Sequence, residues 1–308
     1  MTMIEAHNLT KRYGETVAVE NVDLAVEKGS VHGLVGPNGA GKTTAMQLLI
    51  GLISPTEGKA YVDGEPAGSI EAKRRIGYSP QELALYESMT GREYLEYMGR
   101  VSGMDRGAVR TRADELIEWL GLEEAANRRT GNYSGGMQQR ISLAQAMIHE
   151  PDLLILDEPT VGLDPTGRQQ IMDALKALPD EGITVFVSSH VLSELEQYID
   201  SVTILQDGRK VMTDTIDAVQ RTYGGQAFAV ETGDNETAEE LLAASQTVQT
   251  VERQDGRLIV MTDQPDEFRE ELQSILLENG ISLRSLSEEG TLQEAFADIV
   301  SRNEVDAQ

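Results

Sequence analysis

The feature of the sequence that most restricts the fold is the stretch VGPNGAGKTT at residues 35–44, which places three glycines within ten positions. The apolar residues Val31, Leu34 and Val35 predict a buried strand leading into this stretch, and the pattern from Thr43 onward predicts a helix. The stretch itself fits the pattern G-x-x-x-x-G-K-[ST]. A strand, a glycine-rich loop and a helix in this order predict a phosphate-binding loop in an α/β fold.

Closely spaced glycines allow successive backbone N–H groups to turn inward and form a concave cradle for anionic oxygens. The helix that follows adds free N–H groups and the positive end of its dipole. Lys42 would supply a positive charge for the outer phosphates, and Thr43 would offer a hydroxyl to Mg²⁺. We therefore expect a nucleoside triphosphate with magnesium as the ligand. The residues predicted to bind it are Gly36, Pro37, Asn38, Gly39, Ala40, Gly41, Lys42, Thr43 and Thr44.

A second apolar strand, in the stretch PDLLILDEPT at residues 151–160, ends in the two acids Asp157 and Glu158. A strand covered on both faces tolerates carboxylates at its C-terminal tip, where parallel sheets bind ligands. Asp157 would then hold the Mg²⁺ shell beside Thr43, and Glu158 would orient or deprotonate the attacking water. Taken alone, the two acids would fit a simple turn equally well, and the glycine-rich loop upstream favours the catalytic interpretation.

The stretch NYSGGMQQRISLAQAMIHEPDLLILDEPTVGLDP at residues 132–165 points to a family. It resembles the signature region of the ATP-binding cassette (ABC) ATPases, which stands one helix before the acidic strand. Ser134, Gly135 and Gly136 precede a helix predicted over residues 137–149, where a hydroxyl, N–H groups and the helix dipole can bind an anion. The resemblance implies that these three residues contact the γ-phosphate of an ATP bound by another subunit.

The resemblance also implies how the active unit is assembled. Two cassettes would close head to tail around two ATP molecules, so that neither site is complete in a monomer. The signature departs from the commonest sequence of the family, Leu-Ser-Gly-Gly-Gln, at Tyr133 and at Met137. Because a methionine cannot make the hydrogen bonds of a glutamine amide, we expect this departure to change contacts at the subunit interface.

The resemblance implies roles for further residues, one position at a time. Gln81 matches the glutamine that senses Mg²⁺ and water and contacts the membrane domain, and Asp164 matches the loop that crosses to the opposite subunit. His190, directly after two serines, matches the switch histidine that contacts the γ-phosphate. Tyr13 matches the aromatic residue that stacks on adenine, with Ala18 as an apolar neighbour. Stacking tolerates other bases, so ATP rather than GTP rests on the family analogy.

These assignments define the predicted active site. The predicted catalytic residues are Glu158, His190, Gln81 and Lys42, and the predicted metal ligands are Thr43, Gln81 and Asp157. Beyond the glycine-rich loop, the predicted nucleotide contacts are Tyr13, Ala18, Ser134, Gly135, Gly136 and Asp164.

The resemblance further implies the fold of most of the chain. It predicts a P-loop NTPase core with an antiparallel β subdomain and a helical subdomain at about residues 88–150, together forming an ABC ATPase domain over residues 1–220. Apolar residues recur at helical spacing in GREYLEYMGRVSG and RADELIEWLGL, which favours helices in this subdomain. An exposed patch near Tyr86, Glu87 and Tyr94 would be the place where a helix of a membrane permease docks.

The sequence from residue 225 onward predicts a separate accessory domain over residues 225–308. Its pattern of strand, helix, strand, strand, helix and strand predicts a ferredoxin-like α+β fold. The stretch GTLQEAFADIVSRN at residues 290–303 predicts a further amphipathic helix, and the whole resembles the accessory domain of ABC ATPases that energise ABC-2 type exporters. This part contains no histidine or cysteine. We therefore expect dimerisation or regulation, and ligand sensing is the alternative.

The charge of the chain is unusual, with 52 acidic and 26 basic residues, a net charge of −26 and a pI of about 4.4. Seven of the basic residues are lysines. Many carboxylates with few lysines resemble proteins of salt-loving archaea, because molar salt screens self-repulsion over roughly 3 Å. We therefore hypothesise a halophilic archaeal host, with an acidic mesophilic surface as the alternative. Such a surface repels phosphate backbones, so we expect no nucleic-acid partner.

No apolar run approaches the roughly 20 residues that cross a bilayer, so we expect no direct membrane insertion. The absence of cysteine excludes disulfides and thiolate metal sites and suits a reducing cytoplasm. The combined interpretation is an ATP-hydrolysing subunit of an ABC-2 type exporter that dimerises around ATP. It would be cytoplasmic and peripheral on the inner face of the membrane through a separate permease.

Two other functional classes are considered. A soluble ABC ATPase acting on ribosomes or DNA usually has two cassettes or a long coiled coil and basic surfaces, whereas this chain has one cassette and an acidic balance. A P-loop kinase or GTPase would lack the Ser134 signature and the His190 segment. The transported substrate is not assigned, because its choice would lie in the permease.

Overall fold

The computed structural model describes residues 1–223, 227–254, 256–262 and 264–288. The chain divides into two compact units, Met1–Thr213 and a second that begins at Asp214. This division falls within a strand, upstream of the predicted limits 1–220 and 225–308. The functional assignment of those two ranges stays a prediction.

The first unit contains ten strands, of which the last crosses into the second unit, and six α-helices. In chain order they are β1 (Thr2–Tyr13), β2 (Thr16–Glu27), β3 (Val31–Val35), α1 (Lys42–Leu49), β4 (Glu57–Val62), β5 (Glu65–Pro66), α2 (Ile70–Arg75), β6 (Ile76–Ser79), α3 (Gly91–Val101), α4 (Arg106–Trp119), α5 (Gly135–Met147), β7 (Leu153–Leu156), α6 (Pro165–Ala177), β8 (Thr184–Ser189), β9 (Ser201–Gln206) and β10 (Arg209–Thr215).

The central sheet has the strand order β10-β9-β3-β8-β7-β6. The pairs from β9 through β3, β8 and β7 to β6 are parallel. All residues of β7 and β8 are buried, which explains why β7 reads Leu-Leu-Ile-Leu without alternation. Because parallel strands end at the same edge, the loops that follow β3, β6, β7 and β8 meet there.

A second sheet, of order β2-β1-β4-β5, is antiparallel and confirms the predicted antiparallel β subdomain. Its inner face and α1 share one hydrophobic core with the central sheet, in which Ile4, Leu49 and Phe186 are fully buried. The side chains of α1 that enter this core fix the helix behind the glycine-rich loop. The loop is therefore held by packed elements on both sides.

The predicted helical subdomain consists of α3, α4 and α5. Thr90 and Glu93 form a reciprocal capping box that starts α3. The structure corrects the expected docking patch in one respect, because Tyr94 is buried at 2% exposure and cannot present its ring to a partner. Tyr86 remains half exposed, and its ring contacts those of Tyr94 and Tyr97 edge-on.

The second unit contains a four-stranded sheet with antiparallel pairs throughout, in which the strands lie in the order Thr250–Gln254, Arg257–Met261, Ala227–Thr232 and Leu283–Glu288. This order and the βαββαβ sequence of elements give the predicted ferredoxin-like fold. Residues 290–303, where a further amphipathic helix is predicted, lie outside the described residues. The elements are α7 (Ile216–Tyr223), β11 (Ala227–Thr232), α8 (Asn235–Ala243), β12 (Thr250–Gln254), β13 (Arg257–Met261), α9 (Pro265–Glu278) and β14 (Leu283–Glu288).

The core of the second unit lies between one face of its sheet and the helices α8 and α9. Phe228 of β11 and Phe268 of α9 meet at its centre, with their ring centroids 5.0 Å apart. Across the described residues of both units, no helix is long and apolar enough to span a bilayer.

Candidate active site

The glycine-rich loop follows β3, and its path depends on two close backbone approaches. A Cβ atom on Gly36 would lie 2.3 Å from the Leu205 carbonyl oxygen, so a side chain cannot be accommodated there. Gly41 adopts a φ of +97°, and its Cβ would lie 2.4 Å from the Ala18 carbonyl oxygen. These contacts explain physically why the loop needs glycine at both positions.

The loop opens into a cavity of about 390 Å³ at the carboxyl edge of the central sheet. Four separate stretches of the sequence supply its lining, and all of these residues belong to the predicted site. The lining residues are Ala18, Asn38, Gly39, Ala40, Gly41, Lys42, Thr43, Thr44, Gln81 and Glu158. The fold thus brings the predicted glycine-rich loop, the predicted glutamine and the predicted catalytic glutamate together.

Lys42 is the first residue of α1 and is buried, with 6% of its surface exposed. Its ammonium group donates to the carbonyl oxygens of Gly36 and Pro37 at 2.7 and 3.3 Å. The same group lies 3.2 Å from Glu158 Oε1. The buried cation therefore spans from the loop that would hold phosphates to the predicted catalytic carboxylate.

Glu158 is held at both carboxylate oxygens. While Oε1 faces Lys42, Oε2 lies 2.8 Å from Nδ1 of His190, which follows β8 directly. The backbone of Glu158 has a φ of +51°, a strained conformation for a residue with a side chain. Such strain persists only where the surrounding contacts stabilise it, and it is characteristic of functional sites. The row Lys42, Glu158 and His190 joins three predicted catalytic residues.

Asp157 lies beside Glu158 and is almost fully buried, at 1% exposure. Its Oδ1 accepts a hydrogen bond of 2.7 Å from the Ser188 hydroxyl, and its Oδ2 has no hydrogen-bond partner within the described residues. A buried carboxylate oxygen without a donor has the chemistry that Mg²⁺ prefers.

Burial and the nearby Asp157 charge raise the pKa of Tyr78 to about 12, so this phenol stays protonated.

Ser188 belongs to the candidate site, although the sequence pattern does not predict it. It is fully buried in β8, and its oxygen also accepts a hydrogen bond of 2.9 Å from the Glu158 backbone N–H. One hydroxyl thereby fixes which oxygen of Asp157 remains free and supports the strained backbone of Glu158. The available signal was a serine inside a strand that is otherwise covered on both faces.

Tyr13 and the signature residues lie outside the lining of this cavity, as far as the described residues define it. Tyr13 ends β1 with half of its surface exposed, and the Lys11 ammonium group lies 5.1 Å from its ring centroid. Ser134 caps α5 by accepting a hydrogen bond of 3.4 Å from the Met137 backbone N–H. The ring of Tyr13 and the hydroxyl of Ser134 are thus placed where solvent or a partner can reach them.

The signature and the loop that follows Glu158 are neighbours. The Cβ position of Gly136 lies 3.6 Å from the Leu163 side chain, and that of Gly135 lies 3.8 Å from the Gly162 carbonyl oxygen. Asp164 is exposed and caps α6 by accepting a hydrogen bond of 3.2 Å from the Gly167 backbone N–H. Two exposed helix starts therefore form one surface.

The structure accounts for Tyr133, the first departure in the signature. Its ring is buried at 6% exposure, and its hydroxyl donates to the Ala125 carbonyl oxygen at 2.8 Å. The hydroxyl also touches the start of α3, because a Cβ atom on Gly91 would lie 2.1 Å from it. Tyr133 therefore fills the helical subdomain, and this departure affects packing rather than a phosphate contact.

Comparisons with known proteins agree with this geometry. The family model described as "ABC transporter" matches residues 19–161. The daunorubicin/doxorubicin resistance ATP-binding protein DrrA of Streptomyces peucetius is 36% identical over 95% of this chain and 91% of that protein. The bacitracin transport ATP-binding protein BcrA of Bacillus licheniformis is 34% identical over 97% of each chain.

A solved structure extends the comparison to the fold. The dimeric post-hydrolysis state of the ATP-binding cassette MJ0796, bound to ADP and Pi, superposes with a TM-score of 0.64 and 30% identity over 70% of this chain and 99% of that one. This match supports the ATP-binding cassette fold for the chain. The chain belongs to the ABC transporter family as an ATP-binding subunit with ATPase activity.

Proposed function

We propose that this chain energises an ABC-2 type exporter by closing and reopening a homodimer around two ATP molecules. The observation that carries the proposal is the row formed by the buried Lys42 and Glu158 and the more exposed His190 beside the glycine-rich cavity. Support for export comes from DrrA and BcrA, whose names refer to drug resistance and bacitracin transport. ABC cassettes pair with membrane permeases, and a separate permease would define the cargo of this chain.

In this proposal the chain's own residues divide the chemistry. The glycine-rich loop holds the phosphates, and Lys42 turns from the Gly36 and Pro37 carbonyl oxygens to the outer phosphate oxygens. Glu158 orients the attacking water and accepts its proton, and His190 holds the Glu158 carboxylate in place.

Mg²⁺, when bound, would neutralise charge that develops on the phosphates. Thr43, Gln81 and Asp157 would hold it, and the unpartnered Oδ2 of Asp157 fits this role. Ser188 would act indirectly, by keeping that oxygen free.

A second copy of the chain would complete each site. Ser134, Gly135 and Asp164 are exposed on one surface and lie outside the cavity lining among the described residues. The proposal is that they close over the nucleotide bound by the partner copy, whereas the exposed Tyr13 ring stacks on the base of the nucleotide bound by its own copy. The assembled exporter would place the chain on the cytoplasmic face of the membrane. No observation favours a role on ribosomes or DNA.

The variant Glu158→Gln tests the proposal, because it keeps the shape of the side chain and removes its basicity. We expect ATP hydrolysis to fall by about 100-fold or more and ATP to trap a dimer that size-exclusion chromatography with light scattering detects. Glu181→Gln, an exposed carboxylate in the same unit, is the control and should behave as wild type. A Glu158→Gln variant that hydrolyses ATP normally, or remains monomeric with ATP, would refute the proposal.

A further inference from the structure

The Glu194 carboxylate connects the segment that follows His190 to the loop between β7 and α6 and to α6 itself. Glu194 ends a 3-10 turn at Leu192–Glu194, and its side chain is mostly buried, at 18% exposure. Its Oε1 accepts a hydrogen bond from Arg168 Nη1. Its Oε2 accepts a hydrogen bond of 3.4 Å from the hydroxyl of Thr160. Both oxygens are therefore engaged, each by a different element of the chain.

One donor, Thr160, lies within the loop between β7 and α6, and the other, Arg168, lies in α6. Thr160 is buried, at 3% exposure, and stands two residues after Glu158. Arg168 lies in the first turn of α6, where its backbone N–H donates to the Asp164 carbonyl oxygen at 3.0 Å. A shift of the Glu194 carboxylate would therefore displace Thr160, two residues after Glu158, and Arg168, four residues after Asp164.

The segment that carries Glu194 is itself anchored on the central sheet. Leu192 and Leu195 are buried, at 0% and 1% exposure. A Cβ atom on Gly33 of β3 would lie 2.8 Å from Ile199 Cδ1 and 3.5 Å from Leu195 Cδ1, so these side chains pack directly on the strand that leads into the glycine-rich loop. The carboxylate thus connects the loop between β7 and α6 to a segment that packs on the central sheet.

We propose that Glu194 is a positioning residue for ATP hydrolysis, which keeps the Glu158–Asp164 loop in register with His190 through Arg168 and Thr160. A hydrogen bond between charged groups at a partly buried position is strong enough to hold such a loop. Small displacements of catalytic groups lower the rate of the chemical step more than they lower substrate binding. The inference rests on the proposed function, because it assigns His190 and Glu158 to hydrolysis.

The test is a double-mutant cycle with Glu194→Ala, Arg168→Ala and the double variant. We expect each single variant to lower kcat about 10-fold while KM for ATP changes by less than about twofold. Because both changes remove the same contact, the double variant should lose no more than the worse single variant. Asp114→Ala is the matched control, since it removes the Arg92–Asp114 ion pair between α3 and α4 in the same unit.

Two further measurements separate positioning from loss of structure. Circular dichroism melts identify any variant that fails to fold, in which case Glu194→Gln, which keeps the size of the side chain, replaces Glu194→Ala. In the Glu158→Gln background, Glu194→Ala should still dimerise at the ATP concentration that the parent needs, because the contacts of Glu194 act on the chemical step.

A folded Glu194→Ala variant with unchanged kcat would overturn the inference, as would a fall in kcat matched by an equal loss of ATP affinity. Failure of the proposed function is distinguishable from this result. Failure of the proposed function would appear as absent ATPase activity in the wild type or as absent dimerisation of Glu158→Gln. Failure of the inference alone leaves both of those properties intact.

Discussion

The two units of the chain combine helices and sheets in similar proportions but place their acidic residues differently. In the first unit, Asp157 and Glu158 are buried at the edge where parallel strands end, and each has defined partners. From residue 225 onward the chain carries 19 acidic and five basic residues, yet no described acidic side chain of the second unit is buried. A parallel sheet gathers its functional loops on one edge, whereas an antiparallel sheet sends them alternately to both.

The carboxylates of the second unit have local structural roles. Asp234 caps α8, and its hydrogen bonds with the side chain and backbone of Thr237 lower its pKa. Glu271 of α9 accepts hydrogen bonds from the hydroxyls of Ser245 and Thr247 and so ties the loop after α8 to α9. Both of these described carboxylates therefore contribute to local folding, by capping a helix and by tying a loop to a helix.

The largest expected effect comes from removing the buried cation of the first unit. Lys42→Met should weaken ATP binding by about 100-fold or more, because the phosphates lose their positive partner. It also leaves the buried Glu158 carboxylate without its cation, which destabilises the first unit by roughly 3 kcal/mol. Fluorescent-nucleotide titration and thermal melts measure both effects.

The matched control for this prediction is Lys59→Met, which removes an exposed lysine of the same unit. It should bind ATP as tightly as the wild type does. Equal losses in Lys42→Met and Lys59→Met would show that overall charge, and not the buried position, determines ATP binding.

The pH dependence of stability should also distinguish the two units, because all four histidines lie in the first. Burial lowers the pKa of His32 from 6.5 to about 4, and its ring nitrogens are engaged by the Ser201 and Thr203 hydroxyls. The folded state keeps His32 neutral while the unfolded chain takes up a proton. The contribution of His32 to the free energy of unfolding is therefore complete above about pH 6.5, and it declines by about 3 kcal/mol as the pH falls to 4.

Urea unfolding between pH 7.5 and 4 measures this decline, and His32→Gln should remove most of it. Burial also lowers the pKa of His149, which adds a contribution of the same sign. A first unit whose stability does not change between pH 7 and pH 5 would contradict this role of His32.

Salt should stabilise the second unit more than the first, since the chain carries a net charge of −14 from residue 225 onward against −12 over residues 1–224. Replacing low salt with multimolar KCl should raise the melting temperature of the second unit by roughly 10 °C, equivalent to about 2 kcal/mol. Differential scanning calorimetry resolves the two transitions. Equal stability in low and high salt would refute the hypothesis of a halophilic host.

The smallest predicted effect concerns the departure in the signature. Tyr133→Phe removes the hydroxyl that donates to the Ala125 carbonyl oxygen, and it should cost about 1 kcal/mol of unfolding free energy. ATPase activity of the folded variant should stay within about twofold of the wild type. A large loss of activity without loss of stability would show that Tyr133 serves the nucleotide and not the packing of the helical subdomain.

The sequence was sufficient for the parts of the site that local chemistry dictates. The glycines of the loop, the acids after β7 and the histidine after β8 stand at strand ends, where parallel topology requires them to meet. Ser188 and Glu194 were not predicted, because their importance depends on hydrogen bonds between residues about 30 positions apart. Such contacts have no local pattern and become visible only when the strands are in register.

The fold shows the same division between local and long-range information. The βαββαβ order of the second unit followed from alternation and turn residues alone, because each element is bounded by its own signals. The exposure of individual side chains could not be predicted from such local signals. Tyr94 has helical spacing and aromatic character suitable for a docking patch, but its hydroxyl donates to Gln145 Oε1 of α5 and its ring is covered. Packing between helices decides that outcome.

Mixing two inactive variants tests whether each ATP site combines the glycine-rich loop of one copy with the signature of another. Lys42→Ala disables the loop, and Ser134→Arg blocks the signature. Each alone should be inactive, and an equal mixture should regain up to about a quarter of wild-type activity, because half of the dimers contain one intact site. A mixture without activity, or a Ser134→Arg variant that is fully active alone, would contradict the account.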